Sequence, residues 1–295
     1  MTTATPPAAP AAPTDHITLL VSAPDRRGLV AALAQLLYDV GANIVHADQH
    51  LDRQAGRFFQ RVQADLAGVS VDDAALDALV AARCTELGMT LRIRRSRVTQ
   101  RTAVLVSRQD HCLYDLILRQ RAGELATSIA CVISNHEVAG DVARSFGLPF
   151  HHLPVSAATK PAQEQALLAL LREHQIDLVV LARYMQVLSA PFLDALARPV
   201  INIHHGFLPA FVGERPYHRA WERGVKLIGA TAHYVTPDLD AGPIIEQDVV
   251  RISHADEIEH MIREGRDLER RVLGRAVRLH LEDRVLVYDN KTVVF

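Results

Sequence analysis

Between Arg101 and His205 the chain alternates short apolar runs with amphipathic stretches at close intervals, and that rhythm limits its fold most. RTAVLVS, TSIACVISN, LPFHHLPV, IDLVVLARY and RPVINIHH have strand length and little polar alternation. HCLYDLILRQRAGEL, EVAGDVARSFG and AQEQALLALLREHQ, set among them, carry helical spacing. Strands joined through helices run parallel, and helices on both faces explain why each strand is apolar throughout. The crossovers are right-handed. From Gly213 the rhythm changes: TAHYV and PIIEQDVVRI suit an antiparallel margin of the same sheet. DEIEHMIREGRDLERRVLGRAVRLHLED reads as one long helix and RVLVYDNKTVVF as a terminal hairpin.

A smaller unit precedes this one. HITLLVSAP is a strand, and GLVAALAQLLYDVG places Leu29, Leu33, Leu36, Leu37 and Val40 on one helix face. NIVHADQHL and RFFQRVQADL follow as strands, VDDAALDALVAARCTEL as a helix and MTLRIRR as a last strand. The order βαββαβ predicts two helices on one face of a four-stranded antiparallel sheet. The expected division is a tail over 1–14, a first domain over 15–96 and a second over 97–295, with the boundary in SRVTQ. A length of 295 residues suits two domains, and a hydrophobic content of 49% suits sizeable cores.

Charge and cysteines narrow the function. Lys plus Arg number 32 against 34 for Asp plus Glu, a net charge of -2 that argues against coating nucleic acid or an anionic membrane. Cys84, Cys112 and Cys131 form no CxxC pair, so no disulfide framework or structural zinc site is expected. The Pro/Ala-rich start lacks a basic region and an apolar run, and no stretch is long enough for a transmembrane helix; a cytoplasmic location is expected.

Ligands of open α/β sheets bind beyond the carboxyl ends of the strands. INIHHGFLPAF ends the fifth strand; on extended backbone Asn202 and His204 point to one side and His205 to the other. TAHYVTPDLDAGPIIEQ supplies His233, Asp238 and Asp240, and a carboxylate there can orient a histidine from the other segment. His204, His205, His233 and Asp240 are also plausible metal ligands, a rival reading that the absence of HExxH or comparable spacing disfavours. GxGxxG, GxxxxGK[ST] and GxSxG are absent, and neither Cys112 nor Cys131 has a local activating partner. His151-His152 suits a solvated strand end better than the cleft.

NIHHGFLPAF, PYHRAWERGVKLIGATAHYVTPDLDAGPIIEQDV, SRQDHCLYDLI, VISNH and VVLARYMQVLS together resemble the formyltetrahydrofolate hydrolases (10-formyltetrahydrofolate deformylases) of the folate-dependent formyltransferase superfamily. DRRGLV and GANI in the first unit resemble an ACT domain. The resemblance implies a ferredoxin-like ACT domain ahead of a mostly parallel, Rossmann-like formyltransferase-type domain. It places the catalytic asparagine on Asn202, the histidine on His204 and the aspartate on Asp240. Arg183, Tyr184, Met185, Gln186, Val187 and Leu188 match one wall of the pterin pocket and the loop from Val235 to Asp240 the other; His233, near the active site, and Gly242 count with Val235 among the substrate-binding residues. His205 stands where the superfamily varies and receives no role. Asp25, Gly28, Leu29 and Asn43 mark a site for an amino-acid effector, and ACT pairing implies a homo-oligomer, tetramer or hexamer.

The implied reaction is hydrolysis of 10-formyltetrahydrofolate to formate and tetrahydrofolate, with the folate as substrate, water as acceptor, and neither cofactor nor metal. Asn202 and His204 stabilise the oxyanion, His204 protonates the leaving nitrogen, and Asp240 orients histidine and water. SRQDHC lacks the glycines that hold the acceptor in transferase members, which fits water as acceptor. Gly206 departs from the family pattern, which has serine there. A formyltransferase with an unidentified acceptor and a non-catalytic folate or amino-acid sensor remain as rivals.

Overall fold

The computed structural model describes residues 15–210 and 216–295; the tail expected over 1–14 lies outside the described residues. The chain divides into two compact units between Val98 and Thr99, inside SRVTQ.

The first unit comprises β1 (His16–Pro24), α1 (Leu29–Asp39), β2 (Asn43–Asp52), β3 (Arg57–Asp65), α2 (Asp73–Glu86) and β4 (Thr90–Arg95). Its strands form an antiparallel sheet in the order β2-β3-β1-β4. Four-residue spacing buries Leu29, Leu33 and Leu37 of α1, and the same spacing buries Leu76, Val80 and Cys84 of α2. The Asp72 carboxylate starts α2 by accepting from the Ala75 N–H at 2.8 Å. These side chains share one core with Ile17, Leu19 and Val21 of β1, so both helices cover one sheet face.

The second unit opens with β5 (Gln100–Val106), α3 (His111–Arg121), β6 (Thr127–Ser134), α4 (Ala139–Ser145) and β7 (Phe150–His152). It continues with α5 (Lys160–Glu173), β8 (Leu178–Leu181), α6 (Ala190–Leu196), β9 (Val200–His204), α7 (Pro216–Arg223), β10 (Leu227–Tyr234) and β11 (Ile244–Arg251). The helix α8 (Ile258–Leu281) and the hairpin β12 (Val285–Tyr288) and β13 (Lys291–Val294) close the chain. Seven strands lie in the order β11-β10-β9-β8-β5-β6-β7. The five from β5 to β9 are parallel, while β10 and β11 form the antiparallel margin. Val104 and Val106 enter one core and Ala103 and Leu105 the other, so β5 has no wet face. That double burial is why the central strands carry no polar alternation.

The chain builds outward from β5 to β7, then returns to lay β8 on the opposite side of β5. Strand order reverses between β5 and β8, and a crevice opens close by, at the carboxyl ends of β8 and β9. IDLVVLARY is a strand only over Leu178–Leu181, because Arg183 takes the left-handed conformation at φ 64°. Two helices lie outside the sequence reading. In α6, Ser189 caps the first turn by accepting from the Phe192 N–H at 3.3 Å and Pro191 suits that turn; α7 is the PYHRAWER segment.

Candidate active site

Antiparallel pairing of β9 with β10 sets His233 opposite Asn202 and Thr231 opposite His204. The loop after β10 closes on itself where the Tyr234 N–H donates to the Pro243 carbonyl at 2.9 Å. Gly242 makes that closure feasible: a Cβ there would lie 1.8 Å from the Tyr234 carbonyl oxygen. The turn leaves Asp240 left-handed at φ 53° and puts its Oδ2 3.1 Å from His204 Nδ1. Its Oδ1 is 3.7 Å from His233 Nε2, beyond hydrogen-bond reach.

Partners assign the protons. His233 Nδ1 lies 2.9 Å from the Tyr234 carbonyl, which only accepts, so that nitrogen carries the proton. In the neutral ring Nε2 is then a lone pair, and Asn202 Nδ2 donates to it at 3.2 Å. One N–H of the Asn202 amide is thereby used and the other is spare. His204 likewise donates Nδ1–H to Asp240. Its Nε2 is buried with no hydrogen-bond partner among the described residues, although the ring lines the crevice. Burial works against ionisation of Asp240, but His204, and His233 more remotely, outweigh it and hold the carboxyl well below the usual carboxylate range. A carboxylate, an oriented imidazole with one free nitrogen and an amide donor therefore meet at one point.

The crevice offers a cavity of about 210 Å³ that is open to solvent at its mouth. Arg183, Tyr184, Met185, Gln186, Val187 and Leu188 line one side; His233, Val235, Thr236, Asp238 and Leu239 line the other. Ser107, just past β5, anchors the first wall: its N–H donates to the Arg183 carbonyl at 3.2 Å and its hydroxyl accepts from the Met185 N–H at 3.0 Å. Gln163 donates to the Tyr184 hydroxyl at 3.0 Å. Exposed Met185, Val187 and Leu239 give the mouth an apolar rim.

Gly242 is corrected: expected among the substrate-binding residues, it is not part of the lining and serves the close approach to Tyr234. His205, expected to point away from Asn202 and His204, lines the same crevice, because β9 ends at His204 and strand alternation ends with it. His151 and His152 stay outside the crevice, with His174 and Glu137 as their respective partners. Gly206 is secured by Thr231, whose hydroxyl donates to the Gly206 carbonyl at 3.0 Å and accepts from the Leu208 N–H at 3.1 Å.

Sequence reasoning missed a second buried cluster. Glu269 of α8, 1% exposed, accepts from His111 Nε2 and from the Tyr217 hydroxyl, both at 2.8 Å. Arg183 Nε donates to Gln109 Oε1 at 3.0 Å and lies 3.4 Å from Glu269 Oε2. Gly265, one turn before Glu269, leaves room for Tyr217: a Cβ there would sit 2.1 Å from the phenolic oxygen. His111, Cys112 and Glu269 are close enough to hold a cation, but Glu269 already faces the Arg183 guanidinium and two donors. Burial pushes the Cys131 thiol up to about 12 and Cys112 well above its ordinary value, which suits neither for nucleophilic work. A glutamate inside a long amphipathic helix reads as surface, so its only signal was a position on the apolar face of α8.

In the first unit Asp25, Gly28 and Leu29 line a separate pocket with Gln49, His50 and Phe58. Asn43 is corrected: it lies exposed at the start of β2, outside that pocket.

The second unit brings Asn202, His204 and Asp240 together beside the carboxyl end of β9, and the first has the βαββαβ order, as the resemblance to formyltransferase-type and ACT domains implies. Family comparison agrees, matching Formyl transferase over residues 100–277 and ACT domain over 17–83. A formyltetrahydrofolate deformylase of Synechocystis sp. is 54% identical over 94% of this chain and 98% of its own length. The crystal structure of a formyltetrahydrofolate deformylase from Pseudomonas syringae superposes with a TM-score of 0.93 at 47% identity, covering 96% of this chain and 95% of that one. A glycinamide ribonucleotide transformylase from Symbiobacterium toebii reaches a TM-score of 0.64 at 32% identity, over 67% of this chain and 94% of its own. The chain belongs to the formyltetrahydrofolate deformylase family.

Proposed function

We propose that the chain hydrolyses 10-formyltetrahydrofolate to formate and tetrahydrofolate in the crevice at the carboxyl ends of β8 and β9. The carrying observation is the His204–Asp240 pair at 3.1 Å, which leaves His204 Nε2 free beside the spare amide N–H of Asn202. The walls at 183–188 and 235–240 receive the pterin, which brings the formyl group on N10 to these atoms. Attack by water forms an O–C bond and sends the water's proton to His204 Nε2, while Asp240 stabilises the resulting imidazolium. Asn202, with the imidazolium beside it, holds the oxyanion. Collapse breaks the C–N10 bond as His204 returns the proton to N10, and the formic acid released ionises to formate. The reaction calls on no cofactor beyond its folate substrate.

The open pocket lined by Asp25, Gly28 and Leu29 in the ACT unit is the place for a small effector such as an amino acid. The exposed edge strand β2 suits pairing between subunits into a tetramer or hexamer. Three buried, free cysteines suit a reducing cytoplasm; among the described residues, no helix is long and apolar enough to cross a membrane. The test is incubation of the purified protein with 10-formyltetrahydrofolate alone. Equimolar formate and tetrahydrofolate are expected. Formate-free turnover that begins only when an amine acceptor is added would favour a transferase, and binding without any turnover a sensor.

A further inference from the structure

The chemistry above gives His205 no role, although it lines the crevice with its ring 5.5 Å from that of His204 and 6.0 Å from that of Tyr217. Burial first, then the Arg183 charge, push the His205 imidazole down to about 3, so the ring is neutral and keeps one bare nitrogen. Glu269 and His204, with Asp240 beyond, are the other charged or titratable groups acting on it. Arg183 is held by Gln109 and the buried Glu269 carboxylate, while its Nη1 is buried without a partner among the described residues. Arg183 itself stands in the left-handed backbone region at φ 64°.

These groups complement one water molecule. A water about to attack has two hydrogens to donate and two lone pairs, one of which must face the formyl carbon. His204 Nε2 takes one hydrogen, the bare nitrogen of His205 takes the other, and Arg183 Nη1 donates to the second lone pair. We propose that His205, set by the Arg183–Glu269 pair, positions the hydrolytic water and so makes water rather than an amine the acceptor. The inference rests on the deformylase reading. His205 is too weak a base to keep a proton; it orients the water, and the proton still travels from water to His204 to N10.

The test compares His205→Leu with His205→Asn and His205→Gln, which restore an acceptor near one ring nitrogen or the other. With 10-formyltetrahydrofolate alone, His205→Leu should lose about ten- to a hundredfold in kcat while KM stays within about threefold. With hydroxylamine added, the ratio of formohydroxamate to formate should rise in His205→Leu over wild type, since water loses its privileged position. Asn or Gln should recover most of the turnover and the wild-type ratio. An unchanged kcat and ratio in His205→Leu would overturn the proposal, as would equal losses in all three variants with an unchanged ratio, which mark mere packing. If His205→Leu does not fold, the ratio in the Asn and Gln variants decides: one near wild type supports the proposal and neither overturns it. A wild-type protein that releases no formate without an acceptor defeats the deformylase reading itself.

Discussion

Replacing Asp240 by asparagine removes one charge and almost no volume, which isolates what the carboxylate does for His204. Both side chains are nearly buried, at 7% and 5% exposed, so their interaction is weakly screened. Two opposite charges about 4 Å apart at an effective dielectric near 20 attract by about 4 kcal/mol. That attraction exists only while His204 is protonated, so it acts on the transition state and not on the resting enzyme. Its loss corresponds to about a thousandfold in kcat. The amide adds a second effect: if its NH₂ faces His204 Nδ1, the ring must carry its proton on Nε2, where it can no longer accept from water. The assay is formate release from 10-formyltetrahydrofolate without acceptor, alongside a melting curve to show that the fold persists. Asp240→Asn combined with His204→Ala should be no slower than His204→Ala alone, because the aspartate works through the histidine. A loss below about tenfold in the single variant, or additive losses in the double, would refute the reasoning.

Other consequences follow from the same geometry. Asn202→Ala should lower kcat by about 10²–10³ with the fold retained, read in the same assay, because it removes the amide donor proposed for the oxyanion. Gly242→Ala should lower the urea midpoint and activity together, since its Cβ would stand 1.8 Å from the Tyr234 carbonyl oxygen and push the Asp240 loop out of place. Glu269→Ala should destabilise by about 3–5 kcal/mol in urea unfolding, because it leaves the Arg183 charge buried without its counter-charge and the Tyr217 hydroxyl without its acceptor. The Asp240 and Glu269 carboxyls are both held below their ordinary values. The stability they contribute is present above the unfolded-state value near pH 4 and is lost as pH falls through their folded-state values. Urea midpoints should therefore drop on acidification, and by less in Asp240→Asn than in wild type.

The structure retains what periodicity could carry. Uniformly apolar runs meant strands buried on both faces, and Val104 with Ala103 enter two separate cores as that pattern requires. Leu29, Leu33 and Leu37 fall on one buried helix face for the same reason. The local alternation of β9 put Asn202 and His204 on one side, and the quoted motifs pointed to Asp240. It failed at His205, where the strand stops, and at Gly242, whose requirement comes from a carbonyl eight residues earlier. The sequence reading passed over α6 and α7, although Ser189 and Pro191 are a local start signal for α6.

By itself the sequence determined the two-unit order and the parallel sheet with its antiparallel margin, which depend on spacing along single segments, and its motifs resembled a family whose asparagine, histidine and aspartate fall on Asn202, His204 and Asp240. Tertiary structure alone decided which His204 nitrogen is free, that His233 uses one Asn202 N–H, and that Glu269 reaches Arg183 from α8. Each depends on the distance between atoms from separate elements, and sequence separation says nothing about such distances until the sheet and helices have packed.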